Sequence, residues 1–224
     1  MSSCGPWEAN CYLVGATEGE ECVLVDVGMD AAATAERLLD ESKRRLVAVL
    51  ATHGHLDHVA DAHIVADAHG VPVWIHEADR HLLSDPAAGL SPDAGALVAA
   101  MYGSDKIAEP ADVREWADAD WHGFAGLRWT VLHAPGHTPG SVLLHVSDGR
   151  ESRLLSGDVL FANSIGRTDL PGGSMSEMAA SLRDVVLTLP YDLTVLPGHG
   201  PATKIGRECV SNPYLQPTFL EQNT

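Results

Sequence analysis

The sequence predicts an α/β fold in a single domain spanning residues 1–224. Three observations carry that expectation. Strand-like and helix-like segments alternate from one end of the chain to the other. The helical segments bring their own punctuation, a capping box in one case and a glycine stop in another. No linker, charge run, low-complexity stretch or repeat divides the chain, and 224 residues suffice to bury a full core.

Residues 9–14 and 21–26 read as strands joined by a glycine-containing turn. Asp30 is placed to cap a helix running to about Arg45, with Ala35, Leu38 and Leu39 on one face and Lys43, Arg44 and Arg45 at the favourable C-terminal end. Residues 46–50 form an apolar run with the length of a buried strand. Residues 59–69 are alanine-rich and stop at Gly70, as a helix would. Residues 71–75 then make a strand and 77–83 a short helix. The stretch 85–112 is irregular, with Pro86, Gly89, Pro92, Gly95, Gly103 and Pro110 around one helical piece at 96–101. Such a segment is either a lid over a site or a packing crossover, and the sequence leaves both open. Strands resume at 113–116, 127–132, 142–146 and 153–155. Ser174 and Glu177 form a capping box, behind which Met178, Leu182, Val185, Val186 and Leu189 keep helical spacing. Residues 193–196 are the last clear strand.

Composition narrows the function classes. Hydrophobic content of 45% and charged content of 20% are ordinary for a globular enzyme. Acids outnumber bases by 31 to 14, giving a net charge of -17. That balance opposes a nucleic-acid partner, since neutralising a phosphate backbone takes Lys and Arg. No apolar run has the length of a membrane span, and no basic amphipathic helix favours an anionic membrane. The N-terminus lacks the basic stretch and apolar block of a secretory signal, so a cytoplasmic location is expected. Cys4, Cys11, Cys22 and Cys209 show no paired spacing and read as inert thiols rather than a zinc knot or disulfide framework.

The chemistry is concentrated in four short segments. His53, His55, Asp57 and His58 lie in Thr52-His-Gly-His-Leu-Asp-His58, directly after the apolar run at 46–50. His137 follows in Pro-Gly-His-Thr-Pro-Gly, Asp158 in Ser-Gly-Asp and His199 in Pro-Gly-His-Gly. Imidazole and carboxylate are the ligand types that hold zinc, iron or manganese while leaving room for water. Alternate positions point the same way, so His53, His55 and Asp57 can share a face while His58 looks elsewhere. One loop can thereby serve two neighbouring ions. The Gly-flanked turns let backbone approach closely at His137 and His199. A carboxylate such as Asp158 has two oxygens with which to bridge cations. Of the 12 histidines, His63, His69, His76, His81, His122, His133 and His145 read as surface or hydrogen-bonded residues.

These segments, in this order and over nearly the whole chain, resemble the metallo-β-lactamase superfamily. Within it, Ser156-Gly-Asp-Val-Leu-Phe161, Ile165-Gly-Arg-Thr-Asp-Leu170, Leu196-Pro-Gly-His-Gly-Pro-Ala-Thr203, Ile205-Gly-Arg-Glu208 and Asn212-Pro213 are similar to small bacterial glyoxalase II-like (hydroxyacylglutathione hydrolase-like) hydrolases. The resemblance implies a four-layer αββα sandwich with metals at one edge between two sheets. It implies two divalent metal ions, zinc first, with iron and manganese as alternatives. His53, His55 and His137 would serve one ion, Asp57, His58 and His199 the other, with Asp158 bridging and Asp26 supporting the metal loop.

The reaction implied is hydrolysis of a small-molecule acyl thioester by a hydroxide shared between the ions, whose parent water has its pKa lowered to about 7. Asp57 would orient that nucleophile. A thiolate leaves readily, its thiol pKa being about 8.5, so no strong general acid is required. Arg167, Lys204 and Arg207 are candidate cations for an anionic thiol carrier. A homodimer is a compatible assembly.

The chain also departs from that family. It begins near the turn after the family's usual first strand, so an edge strand is expected to be missing. Val27 stands where relatives often carry proline, and the helical extension with which larger glyoxalase II enzymes bind glutathione is absent. The alternative function is a one-iron persulfide dioxygenase on the same fold, which shares Gly166-Arg-Thr-Asp169. The full second ligand set weighs against it, as it does against a binding module that has lost its chemistry. A β-lactamase is disfavoured by the missing export signal and by Asp158 at the bridging position, and a nuclease by the acidity.

Overall fold

The computed structural model describes residues 1–91, 93–116 and 121–223. Its strands are β1 (Ser2–Cys4), β2 (Ala9–Val14), β3 (Glu21–Val25), β4 (Arg45–Leu50), β5 (Val73–His76), β6 (Val113–Trp116), β7 (Trp121–Phe124), β8 (Leu127–His133), β9 (Val142–Ser147), β10 (Ser152–Gly157), β11 (Thr194–Pro197) and β12 (Thr203–Lys204). The helices are α1 (Ala32–Ser42), α2 (Leu56–Val59), α3 (Ala62–His69), α4 (Ala94–Tyr102), α5 (Met175–Asp184), α6 (Ile205–Ser211) and α7 (Pro217–Gln222). Two six-stranded sheets result, ordered β1-β2-β3-β4-β5-β6 and β12-β11-β10-β9-β8-β7.

Strand alternation explains how the sheets stack. Val23 and Val25 of β3 point between the sheets, where they meet Trp129 and Val131 of β8 and Val142 and Leu144 of β9. Cys22 and Leu24 point the other way, against Ala35 and Leu39 of α1 and Val65 and Ala66 of α3. On the second sheet, Leu143, Leu154 and Val195 face outward onto Met178 and Leu182 of α5 and Leu220 of α7. Both sheets are therefore apolar on two faces, giving the αββα sandwich expected. Each fully buried Leu or Val contributes about 1.5–3 kcal/mol.

Several boundaries differ from the sequence expectation for identifiable reasons. An edge strand is present after all: β1 pairs antiparallel with β2 through Ser2–Cys11 and Cys4–Ala9. Asp30 does not cap α1, because its own φ is +54°. The capping acceptor comes from another element, Asp61, whose Oδ2 takes the Ala32 N–H at 2.9 Å. The helix also ends earlier, at Lys43 in the left-handed region, so Arg45 opens β4. The single helix expected over 59–69 is two, α2 and α3, parted at Ala60–Asp61, and α3 stops at Gly70 with φ +63°. In the 85–112 stretch, residues 86–89 make a 3-10 turn and α4 covers the predicted helical piece; Pro92 lies outside the described residues. Ser174 caps α5 as expected, its Oγ accepting from the Glu177 N–H at 3.3 Å. No described helix is long and apolar enough to cross a membrane.

Candidate metal centre

Strand ends converge at one edge of the sandwich, and each delivers a polar side chain. From β3 comes Asp26, from β4 the His53–His58 loop, from β8 the turn with His137, from β10 Asp158 and from β11 His199. The seven predicted ligands, scattered through the sequence, meet there. Their ligating atoms form three groups, each with members within 4.8 Å of one another: His53, His55 and His137; His53, His58 and Asp158; Asp57, His58 and His199.

The distances are those of a cluster sharing a common interior. His55 Nδ1 lies 2.8 Å from His137 Nε2, and His58 Nε2 lies 3.2 Å from His199 Nε2. Asp158 stands between the two pairs. Its Oδ1 is 3.4 Å from His58 Nε2, and its Oδ2 is 3.5 Å from His199 Nε2 and 3.6 Å from His137 Nε2. Asp57 Oδ2 is 3.1 Å from His199 Nε2.

Hydrogen bonds on the outer side fix which nitrogen faces inward. His58 Nδ1 is 3.0 Å from Asp26 Oδ2, His137 Nδ1 is 2.7 Å from the Arg167 carbonyl, and His53 Nδ1 is 3.1 Å from Thr52 Oγ1. All three therefore present Nε2 to the interior, the arrangement by which outer partners orient metal ligands. His53 Nε2 and Asp158 Oδ1 are buried and have no hydrogen-bond partner among the described residues. Each such group costs about 1–3 kcal/mol if left unmatched. A cation between them offsets that cost, so the donor set fits a pair of divalent ions.

Electrostatics divide the cluster. Burial pushes the imidazoles of His55 and His137 down to about 4, and holds His53 well below its ordinary value, so all three offer lone pairs at neutral pH. His58 goes the other way. Burial opposes its charge, but the carboxylates of Asp57, Asp158 and Asp26 raise it to about 10. Burial also raises Asp57, yet the imidazoles of His58 and His199 outweigh it and keep the carboxyl ionised well below the usual range. A cluster rich in carboxylate around protonated histidine is one that cations can enter by displacing protons.

Several residues that build the site carried no signal in the sequence reading. Asp79, fully buried after β5, accepts from the Gly54 N–H at 2.8 Å, the Thr138 hydroxyl at 2.6 Å and the Gly140 N–H at 2.7 Å. It ties the His53–His55 loop to the His137 turn. Asn10 Nδ2 donates to the carbonyls of Pro197 and Gly200, and the Tyr12 hydroxyl donates to Pro197 at 2.7 Å, so β2 holds the His199 loop in place. Glu208 and Asn212, noted only as part of a family resemblance, pin residues 161–164 through the Asn163 N–H and the Ser164 carbonyl. Gly198 is required by close approach, since a Cβ there would lie 2.2 Å from Asp158 Oδ1. Asp26 anchors the His53–His58 loop, accepting from the Thr52 N–H and hydroxyl and lying 3.0 Å from His58 Nδ1.

The cluster floors a cleft of 570 Å³ whose walls include Trp7, Leu90, Leu97, Phe161 and Leu170. Ser91 and Ala94 also line it, so the 85–112 stretch forms one wall of the site. Arg167 lines the cleft, but its guanidinium is engaged by Asp169. Lys204 and Arg207 do not line it; they border a separate open depression beside Tyr191 and Val210. The other histidines stay out of the cluster: His69 pairs with Glu36, and His76 stacks on His133 at 4.2 Å.

Comparison with known proteins adds to this geometry. The profile of a family described as the metallo-beta-lactamase superfamily matches residues 4–199. An uncharacterized protein of Mycobacterium tuberculosis, Rv2581c, is 41% identical over 211 residues, covering 92% of each chain. The probable metallo-hydrolase YqgX of Bacillus subtilis is 33% identical, covering 94% of each chain, and the hydroxyacylglutathione hydrolase GloC of Haemophilus influenzae is 32% identical, covering 93% of each. Among solved structures, the BLEG-1 B3 metallo-beta-lactamase superposes with a TM-score of 0.83 at 36% identity, covering 96% of this chain and 98% of that one. TTHA1623 in a di-iron-bound form gives 0.78 at 35%, covering 95% and 98%. ETHE1 from Myxococcus xanthus gives 0.72 at 25%, covering 92% and 79%.

Proposed function

The chain belongs to the metallo-beta-lactamase superfamily, and from that premise we propose that it is a metal-dependent hydrolase of small acyl thioesters. One observation carries the proposal: Asp158 lies between two sets of inward-facing imidazoles at the floor of a cleft. His53, His55 and His137 would hold one divalent ion, Asp57, His58 and His199 a second, with Asp158 shared. When bound, the ions supply Lewis acidity toward the substrate carbonyl and a water that ionises near neutral pH.

The chain's own residues do the rest. Asp57, kept ionised by its histidine neighbours, is placed to accept a hydrogen bond from the attacking water and so to orient it. Trp7, Leu90 and Phe161 line the cleft beside the cluster with apolar surface. Outside the ligand cluster the cleft is lined by apolar side chains, Ser91, Trp7, Gly166 and Arg167. None of these is a ready proton donor for an amine leaving group, whereas a thiolate of thiol pKa about 8.5 departs unaided. The likeness to a hydroxyacylglutathione hydrolase supports the same substrate class.

Zinc is the first choice of metal, and the likeness to a di-iron protein keeps iron beside it. A one-iron persulfide dioxygenase is the second reading, supported by the likeness to ETHE1 and opposed by the complete Asp57–His58–His199 group. The protein loaded with two equivalents of metal should hydrolyse S-lactoyl thioesters in a panel that also holds β-lactams and a persulfide with oxygen-uptake recording. Failure on every thiol carrier with metal bound removes the proposal. Thiol-dependent oxygen consumption by a one-iron form supports the second reading.

A further inference from the structure

His199 differs from its neighbours in the cluster by what stands behind its ring. His53, His58 and His137 each commit Nδ1 to a fixed oxygen, from Thr52, Asp26 and Arg167 in turn. His199 also turns Nε2 inward, toward His58, Asp57 and Asp158, but among the described residues its Nδ1 has no hydrogen-bond partner. Its side chain is 26% exposed, whereas those of His58 and His137 are 0% and 3% exposed. β2 fixes the backbone of this turn through Asn10 and Tyr12. Backbone contacts leave the ring free to choose among side-chain rotamers, so something else must select one.

Phe161 is what that ring meets. The two ring centroids lie 6.0 Å apart with their planes at 90°, the edge-to-face arrangement that aromatic pairs prefer. Phe161 is held in turn from outside the site. It pairs with Ser164 across a tight turn, through N–H to carbonyl distances of 3.0 and 3.4 Å, with Asn163 at φ +60°. Outside glycine that conformation is uncommon, and it persists where neighbours fix it. The neighbours here sit on α6. Glu208, fully buried, accepts the Asn163 N–H at 2.7 Å, the Asn212 amide at 3.0 Å and the Thr203 hydroxyl. Asn212 Nδ2 also donates to the Ser164 carbonyl at 3.0 Å, and Ser211 Oγ to Asn163 Oδ1 at 3.0 Å. A buried carboxylate given three donors is thus aimed at the tip of the turn that carries Phe161.

We propose that Phe161 and Glu208 are positioning residues for His199: the Phe161 ring takes the place of the outer hydrogen bond that His53, His58 and His137 have, and Glu208 fixes that ring from α6. The inference rests on the two-ion reading above and makes the ion of the Asp57–His58–His199 group depend on the 161–164 turn. Neither residue acts on the reacting bond. Glu208 does not line the cleft, and Phe161, which does, has no polar group to offer the chemistry.

The test is stepwise titration of the full chain with Co2+, followed by visible absorption and by calorimetry so that the two ions are read separately. The step lost in His55→Ala belongs to the His53–His55–His137 group. Phe161→Ala should weaken the other step by about three- to tenfold, the worth of one edge-to-face ring pair. The first step should stay within about twofold of the parent, as expected for a site with no shared contact. Phe161→Tyr, which keeps the ring, should return the parent value. Glu208→Ala should weaken the same step as Phe161→Ala. The double variant should lose no more than Phe161→Ala alone, because Glu208 acts through that ring. An unaltered second step in Phe161→Ala, equal losses at both steps, a Phe161→Tyr value no better than that of Phe161→Ala, or losses that add in the double variant overturn the inference. Phe161 is half-buried at the cleft wall, so its variants carry the test even where Glu208→Ala does not fold. A parent that takes up one ion only removes the two-ion reading itself and the inference with it. Failure to cleave any thioester removes the thioesterase reading alone, since the affinities are read without substrate.

Discussion

Asp26 Oδ2 lies 3.0 Å from Nδ1 of His58, and the same carboxylate accepts the N–H and the hydroxyl of Thr52. One side chain thus sets the ring of one histidine of the cluster and the backbone of the loop that carries three more of its members. With Nδ1 committed to Asp26, His58 turns Nε2 toward Asp57, Asp158 and His199. Asp26→Ala should weaken metal binding by about 10–100-fold, the usual cost of losing such a partner. Competition with a chromophoric chelator measures it, and unchanged affinity would show that His58 is oriented by other means.

Asp79 performs a similar task by a different route, holding two loops together through three donors. Asp79→Ala leaves the Gly54 and Gly140 N–H groups and the Thr138 hydroxyl unmatched in a buried place. The expected loss is about 3 kcal/mol or more, since each such group costs about 1–3 kcal/mol. Urea denaturation of the metal-free protein gives the value directly. A loss within the ordinary surface range, about 0.5 kcal/mol, would mean that the loops hold without it.

Metal uptake should depend on pH in a defined direction. In the metal-free protein His58 is protonated at neutral pH, its pKa raised to about 10 by Asp57, Asp158 and Asp26 against the opposing effect of burial. Its folded value exceeds the ordinary value of about 6.5, so its stabilising contribution is complete below that pH and fades as pH rises through about 10. A cation that takes Nε2 must displace this proton, whereas His55 and His137, pushed to about 4, have none to release. Binding should therefore release protons at pH 7 and tighten as pH rises toward 10. Titration calorimetry in buffers of differing ionisation enthalpy reads the release. Uptake with no net proton exchange would contradict the arrangement.

The thiols should be silent. Cys22 is fully buried in β3 and burial pushes its thiol up to about 11, while Cys11, also buried, is shifted in the same direction by the same cause. Thiolate is the reactive form, so both should resist iodoacetamide at neutral pH in the folded protein and react once it is unfolded. Mass spectrometry of the labelled peptides distinguishes them, and rapid native labelling of Cys22 would place it at an accessible surface.

How much of this was legible follows from what each residue had to announce. The members of the cluster were, because His53, His55, Asp57 and His58 crowd into one loop and His137 and His199 sit in Pro-Gly turns. Strands such as β4 and β9 were legible from apolar runs alone. Asp79 was not: among 31 acids it stands in an ordinary polar stretch, and its partners arrive from 25 and 61 positions away. The same holds for the start of α1, where Asp61 supplies the cap that the sequence pattern assigns to Asp30. β7 and β12 are short and owe their form to neighbours in the sheet, which no local pattern encodes. Arg167, Lys204 and Arg207 looked equivalent as cations; only folding set the first at the cleft and the other two elsewhere.

The central claim is that seven side chains hold two ions with Asp158 between them. Anomalous diffraction from crystals of the metal-loaded protein tests it most directly. Two peaks are expected, one within ligand reach of His53, His55 and His137 and one within reach of Asp57, His58 and His199, both touching Asp158. A single peak at full loading, or a chain that keeps full hydrolase activity after every ion is stripped, would contradict it.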